Sequence, residues 1–298
     1  MSSKNILLMI ALASLWGASF LFMRISVPEF GAVLLVALRV IIAALVLLPF
    51  WFLSDSKQAR RVALNHWPAL MLVGVLNSSV PFVLFAYSML YVTGGVASIL
   101  NGTAPIWGAV VAWAWLGSRL SKNAVIGLTL GFIGVVILVG DELAVPSEGK
   151  ISAIAAAAFA PFLYGIAANY TSKNLNNVSA LSIAMFSQAW AGVSLLPFLY
   201  WFLPEQNPSA EAWLSLIALA VACTSVAYLM YFKLLADVGS TKAITVTFLI
   251  PAFGTLWGAV FIGEEITSMM IIGMAIILLG TALVTGVLKL AKPISENS

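Results

Sequence analysis

Ten apolar runs dominate this chain, each long enough to cross the ~30 Å hydrocarbon core of a bilayer as a helix. They cover approximately residues 5–23, 31–53, 67–89, 95–116, 123–140, 151–170, 179–203, 211–232, 242–262 and 268–288. Lipid offers no hydrogen-bond partners, so a spanning segment must satisfy its own backbone, as a helix or inside a closed barrel. The runs are continuous instead of alternating every second residue, which excludes the barrel. The expected fold is an all-α polytopic membrane protein. Composition agrees, with 62% hydrophobic and 8% charged residues, against roughly 25% charged in an ordinary soluble domain. The first run follows Lys4 and exceeds the usual core of a secretory signal, so it reads as a retained span. Cys223 is the only cysteine, which excludes disulfides within the chain and cysteine-based metal sites.

Two of the runs carry matching blocks. NGTAPIWGAVVAWAWLGSRL, from Asn101 to Leu120, recurs 146 residues later as TFLIPAFGTLWGAVFIGEEI, from Thr247 to Ile266. At that offset Pro105 falls on Pro251, Gly108 on Gly254, Gly117 on Gly263, Gly127 on Gly273 and Gly134 on Gly280. The early spans match at an offset of 148, with Trp16-Gly17 on Tyr164-Gly165 and Pro49 on Pro197. Matches concentrated on Gly and Pro preserve backbone geometry and helix approach. The expectation is a duplicated module, residues 1–146 and 147–298, with five spans in each copy.

Charge sets the orientation. Sorting the loops alternately puts eleven basic residues on one side: Lys4, Lys57, Arg60, Arg61, Arg119, Lys122, Lys173, Lys233, Lys242, Lys289 and Lys292. The other side holds only Arg24 and Lys150, together with most of the acids. This asymmetry places both termini in the cytoplasm. Five spans is an odd number, so the second copy enters from the opposite face and the repeat is inverted.

The duplicated five-helix unit, the LWGASF stretch at 15–20 and the PIWGAVVAWAWLGSRL and PAFGTLWGAVFIGEEI blocks resemble the EamA-type transporters of the drug/metabolite transporter superfamily. The resemblance covers nearly the whole chain. It implies an inner-membrane carrier, commonly an exporter of amino acids or related metabolites. The family pattern has Gly-Glu after the fourth span as well as the ninth. Ser118-Arg119 departs from it here, so no role can rest on an acid in the first copy.

The residues with chemical potential are few. Pro105 and Pro251, read as mid-span, should each free the carbonyl four residues back, that of Asn101 or Thr247, and kink a helix lining a cavity. Matching polar triplets occupy the third and eighth spans, Asn77-Ser78-Ser79 and Cys223-Thr224-Ser225. Hydroxyls can bond back to their own helix, whereas the Asn77 amide has two donors and calls for a polar interior. Arg39 is the only charge well inside the hydrocarbon, roughly 13 Å below Phe30 at 1.5 Å per residue. Its burial costs at least ~2.5 kcal/mol, which marks it as functional or as a cap on freed carbonyls. Trp16 and Tyr164 hold equivalent places in the first spans of the two halves and could stack on a ligand. The expected substrate-binding set is Arg39, Asn77, Ser78, Asn101, Trp16, Tyr164, Thr224 and Thr247.

No phosphate-binding Gly-Lys loop is present, which argues against ATP hydrolysis by this chain. His66 is the only histidine, no Asp or Glu lies deep in a span, and no acid, base and nucleophile converge. The reading is a secondary carrier, an exporter of a small metabolite such as an amino acid, working by alternating access. The alternatives are a passive pore, or a sugar or organic-anion carrier. The expected partners are a small-molecule substrate and the lipid bilayer, without nucleic acid, cofactor or metal, in a monomer or homodimer.

Overall fold

The computed structural model describes residues 2–144 and 147–289, and among these every regular element is helical. Lys292 and the expected module boundary at 146 lie outside the described residues. The helices are α1 (Ser3–Phe30), α2 (Ala32–Ser54), α3 (Lys57–Asn65), α4 (Trp67–Ser88), α5 (Gly94–Asn101), α6 (Ala104–Leu116), α7 (Lys122–Leu143), α8 (Lys150–Asn174), α9 (Ala180–Leu195), α10 (Ala210–Val238), α11 (Ile250–Ile262) and α12 (Ser268–Val284). Nine spans among the described residues are long and apolar enough to cross a membrane; α12 is apolar but shorter, at 17 residues.

Helix starts follow from capping. The first N–H groups of a helix have no internal acceptor, and a hydroxyl one residue before the helix can supply one. Ser2, Ser56, Thr93, Ser121, Ser179, Ser209 and Thr267 each accept the N–H three residues on. Between α1 and α2 the chain turns on Gly31 alone, at φ 69°. Only glycine takes that conformation without steric cost, which makes the turn this tight.

The prolines act differently from the sequence expectation. Pro105 and Pro251 both sit in the first turn of a helix, α6 and α11, where a missing N–H costs nothing. The break lies just before them. Span four stops at Asn101 and restarts at Ala104, and span nine passes through a 3₁₀ segment, Ile244–Phe248, before α11. Both are therefore interrupted helices instead of kinked ones. The carbonyl left free is that of Gly102, and Thr281 of α12 donates to it at 3.1 Å. The two breaks meet: the Pro251 ring lies against Gly102, and Ser98 donates to the Pro251 carbonyl at 3.4 Å.

The polar triplets also change the backbone. α4 widens into a π turn at Val75–Ser79, and α10 does so at Val221–Val226, 146 residues further on. A π turn breaks the i→i−4 ladder, and the hydroxyls there bond carbonyls that it displaces. Thr224 Oγ1 donates to Leu219 O at 2.8 Å, and Ser225 Oγ to Ala220 O at 3.0 Å, each five residues back.

Glycines fix how closely the helices approach. A Cβ on Gly17 of α1 would strike Phe253 and the Gly254 backbone of α11, and one on Gly165 of α8 would strike the Trp107–Gly108 backbone of α6. Gly127 faces the Gly280 carbonyl and Gly134 the Gly273 carbonyl across the α7–α12 contact. Large apolar side chains on the outer surface, among them Leu45, Val136, Leu214, Val260 and Phe261, are more than half exposed. In a chain with spans of this length that surface is the one lipid covers.

Candidate functional site

The site is built on Arg39, the eighth residue of α2, whose side chain is buried at 4% exposure. Its Nε–H donates to Thr224 Oγ1 at 3.1 Å, and the guanidinium lies 3.8 Å above the Phe82 ring. Thr224 can accept because its own proton is turned to Leu219 O in the π turn. The guanidinium is also close enough to Tyr164, Cys223 and Tyr228 for its charge to act on each of them. The Tyr228 hydroxyl faces the Asn77 side chain. Among the described residues Arg39 makes one hydrogen bond to protein and no ion pair.

Each half contributes to this cluster through the same positions. Asn77 and Cys223, Ser78 and Thr224, and Phe82 and Tyr228 are three pairs separated by 146 residues. Arg39 has no such mate, because Ser187 stands at the matching place with Gln188 beside it. Gln188 is fully buried and donates through Nε2 to Ser78 Oγ at 2.9 Å, a neutral counterpart of the Arg39–Thr224 bond. Its Oε1 has no partner.

Of the eight residues expected from sequence, the structure brings Arg39, Thr224, Tyr164 and Asn77 together. Ser78 is engaged by Gln188. Trp16 stands at the border, its ring 5.4 Å from Tyr231. Thr247 bonds its own helix at Ile244 O, 2.8 Å away. The Asn101 side chain ends α5 without a hydrogen bond, and nothing links it or Thr247 to Arg39. Pro105 and Pro251 mark the helix breaks without touching the guanidinium. Phe82, Tyr228 and Gln188 were missed, although Phe82 and Tyr228 are repeat mates placed four residues after Ser78 and Thr224.

Chemically the arrangement is able to take an anionic group. A planar guanidinium offers a fork of donors that matches a carboxylate through two bonds. Phe82 covers one of its faces and Thr224 holds Nε, which orients the remaining donors. Among the described residues no group of three His, Cys, Asp or Glu could hold a metal ion.

A second ionic group lies at the end of α1. Glu264, two residues past α11, accepts the N–H of Gly94 at 2.8 Å and of Gly95 at 3.1 Å, the first residues of α5. Arg24 Nε stands 3.8 Å from the same carboxylate, and Arg24 also donates to the Met89 carbonyl. A cavity of about 490 Å³ opens beside them, lined by Arg24, Ile25, Pro28, Leu90, Ile262 and Glu264.

The sequence pattern of the EamA-like transporter family matches residues 3–140 and 151–286. This chain belongs to that family. It is a multi-pass membrane transporter, then, and not an enzyme. Among its relatives, the "Uncharacterized transporter YoaV" of Bacillus subtilis is 23% identical over 93% of this chain and 95% of its own length. The "Probable terminal-alkyne amino-acid exporter" of Streptantibioticus cattleyicolor is 23% identical over 95% of this chain and 93% of that one. The "Probable amino-acid metabolite efflux pump" of Salmonella typhimurium is 23% identical over 94% of each. One solved crystal structure shares the fold at a TM-score of 0.66 and 19% identity, covering 96% of this chain and 98% of its own.

Proposed function

We propose that the chain is a secondary carrier that exports small carboxylate-bearing metabolites, amino acids first among them, across the inner membrane. The observation that carries this is Arg39: a buried cation that among the described residues has one protein hydrogen bond and no acid partner. Such a charge needs an anion, and a carboxylate arriving with the substrate supplies one. Aromatic Phe82, Tyr164 and Tyr228 around it suit an amphipathic ligand with an apolar side chain. The names of two relatives, an amino-acid exporter and an amino-acid metabolite efflux pump, support the same substrate class.

The working architecture is ten spans in two inverted five-helix repeats, residues 1–146 and 147–298, moving by alternating access. Three observations support it. The π turns recur at the 146-residue offset. The contacts Gly127–Gly280 and Gly134–Gly273 exchange into each other at that offset, as two copies related by a two-fold axis require. Interrupted helices, here spans four and nine, accompany substrate sites in carriers of this kind. Labelled-substrate counterflow in proteoliposomes tests the proposal. Saturable exchange of an amino acid is expected, and unsaturable flux without exchange would replace the carrier with a pore.

A further inference from the structure

Glu264 joins three spans at one end of the molecule. Its carboxylate takes two amides at the start of α5, it faces Arg24 of α1, and its own backbone is held by the end of α11, where Glu264 N donates to Gly258 O at 3.1 Å. The side chain is only 9% exposed. Gly258 carries no Cβ, and one added there would strike the Glu264 carboxylate, so the folded-back side chain depends on that glycine.

The matching place in the first half has the same backbone and none of the chemistry. Gly117 ends α6 at φ 67° as Gly263 ends α11 at φ 68°. Ser118 N donates to Ala112 O at 3.2 Å, the counterpart of Glu264 N and Gly258 O. Ser118 stands where Glu264 would be, is exposed, and has no carboxylate to reach across to another helix. Arg119 beside it is exposed and makes no ion pair among the described residues. The turn at Gly263 is fastened ionically to α5 and α1, and among the described residues the repeat-related turn at Gly117 has no such contact.

We infer that Glu264, with Arg24, is a latch that holds the periplasmic end closed by fastening α11 to the start of α5 and the end of α1. The side assignment rests on the orientation proposed above; the latch itself rests on the contacts. A carboxylate at a helix N-terminus bonds amides whose helical partners are absent and meets the positive end of the helix dipole. Its hydrogen bonds are charge-assisted and stronger than neutral ones. Opening this end separates Glu264 from Gly94 and Gly95 and widens the cavity already present between Leu90 and Ile262. Glu264 and Arg24 thus act on transport by position, through the balance between closed and open forms.

The native sequence holds its own reporter, since Cys223 is the only cysteine, is 1% exposed, and lies beside Arg39. Glu264→Gln keeps the shape and one acceptor oxygen but loses the charge. A membrane-impermeant maleimide applied from the periplasmic face should modify Cys223 about tenfold faster in Glu264→Gln than in the unaltered protein, a population shift equivalent to ~1.4 kcal/mol. Spin labels at Leu90→Cys and Ile262→Cys, in a Cys223→Ser background, should move to longer distances on the same change. Arg24→Gln, which spares the α5 amides, should shift the distances in the same direction by less. If both variants fold and keep the original distance distribution, the latch is wrong. If the distances lengthen while Cys223 becomes reactive only from the cytoplasmic face, the latch stands and the orientation falls.

Discussion

Arg39 shows how far one residue can be read before a structure is known. A guanidinium in an apolar run is conspicuous because burying it is costly, and the structure keeps it buried and without an acid. Of the rings around it Tyr164 was legible, as the repeat mate of Trp16, and two others were not. Phe82 and Tyr228 sit in apolar runs where most aromatics are packing, and only their 146-residue separation sets them apart. Arg39→Lys keeps the charge but loses the planar fork and the stack on Phe82, so transport should fall clearly. Arg39→Gln removes the charge and should lower kcat/KM by ~10- to 100-fold, the cost of a charge-assisted bond of about 1.5–3 kcal/mol. Normal transport by a folded Arg39→Gln would make the residue structural. Asn77→Leu removes the amide that faces the Tyr228 hydroxyl and should weaken transport while membrane insertion stays normal; unchanged kinetics would reduce Asn77 to packing.

Among the elements, helix existence was legible and helix interruption was not. Apolar length announces a span, but a break depends on where the free carbonyl finds a donor, and Thr281 is 179 residues from Gly102. Proline was therefore taken for a mid-helix kink when it opens a new helix after the break. Gly127 and Gly134 on span five meet Gly280 and Gly273 on span ten, and glycine spacing on one face of a span is local information. A Cβ on Gly280 would meet the Gly127 carbonyl and Gly131 amide at 2.6 and 2.7 Å, both backbone atoms that cannot step aside. Gly280→Leu should thus force α12 off α7 and destabilise by roughly 1–3 kcal/mol or more, seen as a lower melting midpoint and reduced folded yield. Gly140→Ala, on the same α7 but with nothing within 4 Å, should leave both unchanged. Equal loss from the two variants would show that the α7–α12 contact is not responsible, since both changes raise helix propensity.

For the whole molecule, the repeat and the charge distribution make separate statements that must agree. The repeat relates the two halves but is silent on which face is cytoplasmic. Charge answers that, because basic loops resist translocation. Carboxylates fasten helices at both ends: Glu29 with Ser209, Glu264 with Arg24, Glu142 with Lys150 and Asp141 with Thr267 fall on the side expected to be periplasmic, while Asp55 with Ser179 and Ser182, and Lys233 with Asp237, fall on the other. At that second end Lys57 and Arg61 are exposed and, among the described residues, make no ion pair, and Arg60 lies 5.3 Å over the Phe52 ring. Lys57 and Arg61 are left to meet anionic lipid headgroups. A cysteine at Ser2 and one at Ser147, each introduced singly into a Cys223→Ser background, test the assignment directly. With impermeant maleimide outside intact cells, Ser147→Cys should label and Ser2→Cys should react only after the membrane is opened. The reverse pattern would invert the protein and turn the latch at Glu264 into a cytoplasmic one. Labelling of both from outside, with a cytosolic thiol protein in the same cells remaining unlabelled, would mean an even number of crossings between them, where the inverted repeat places five.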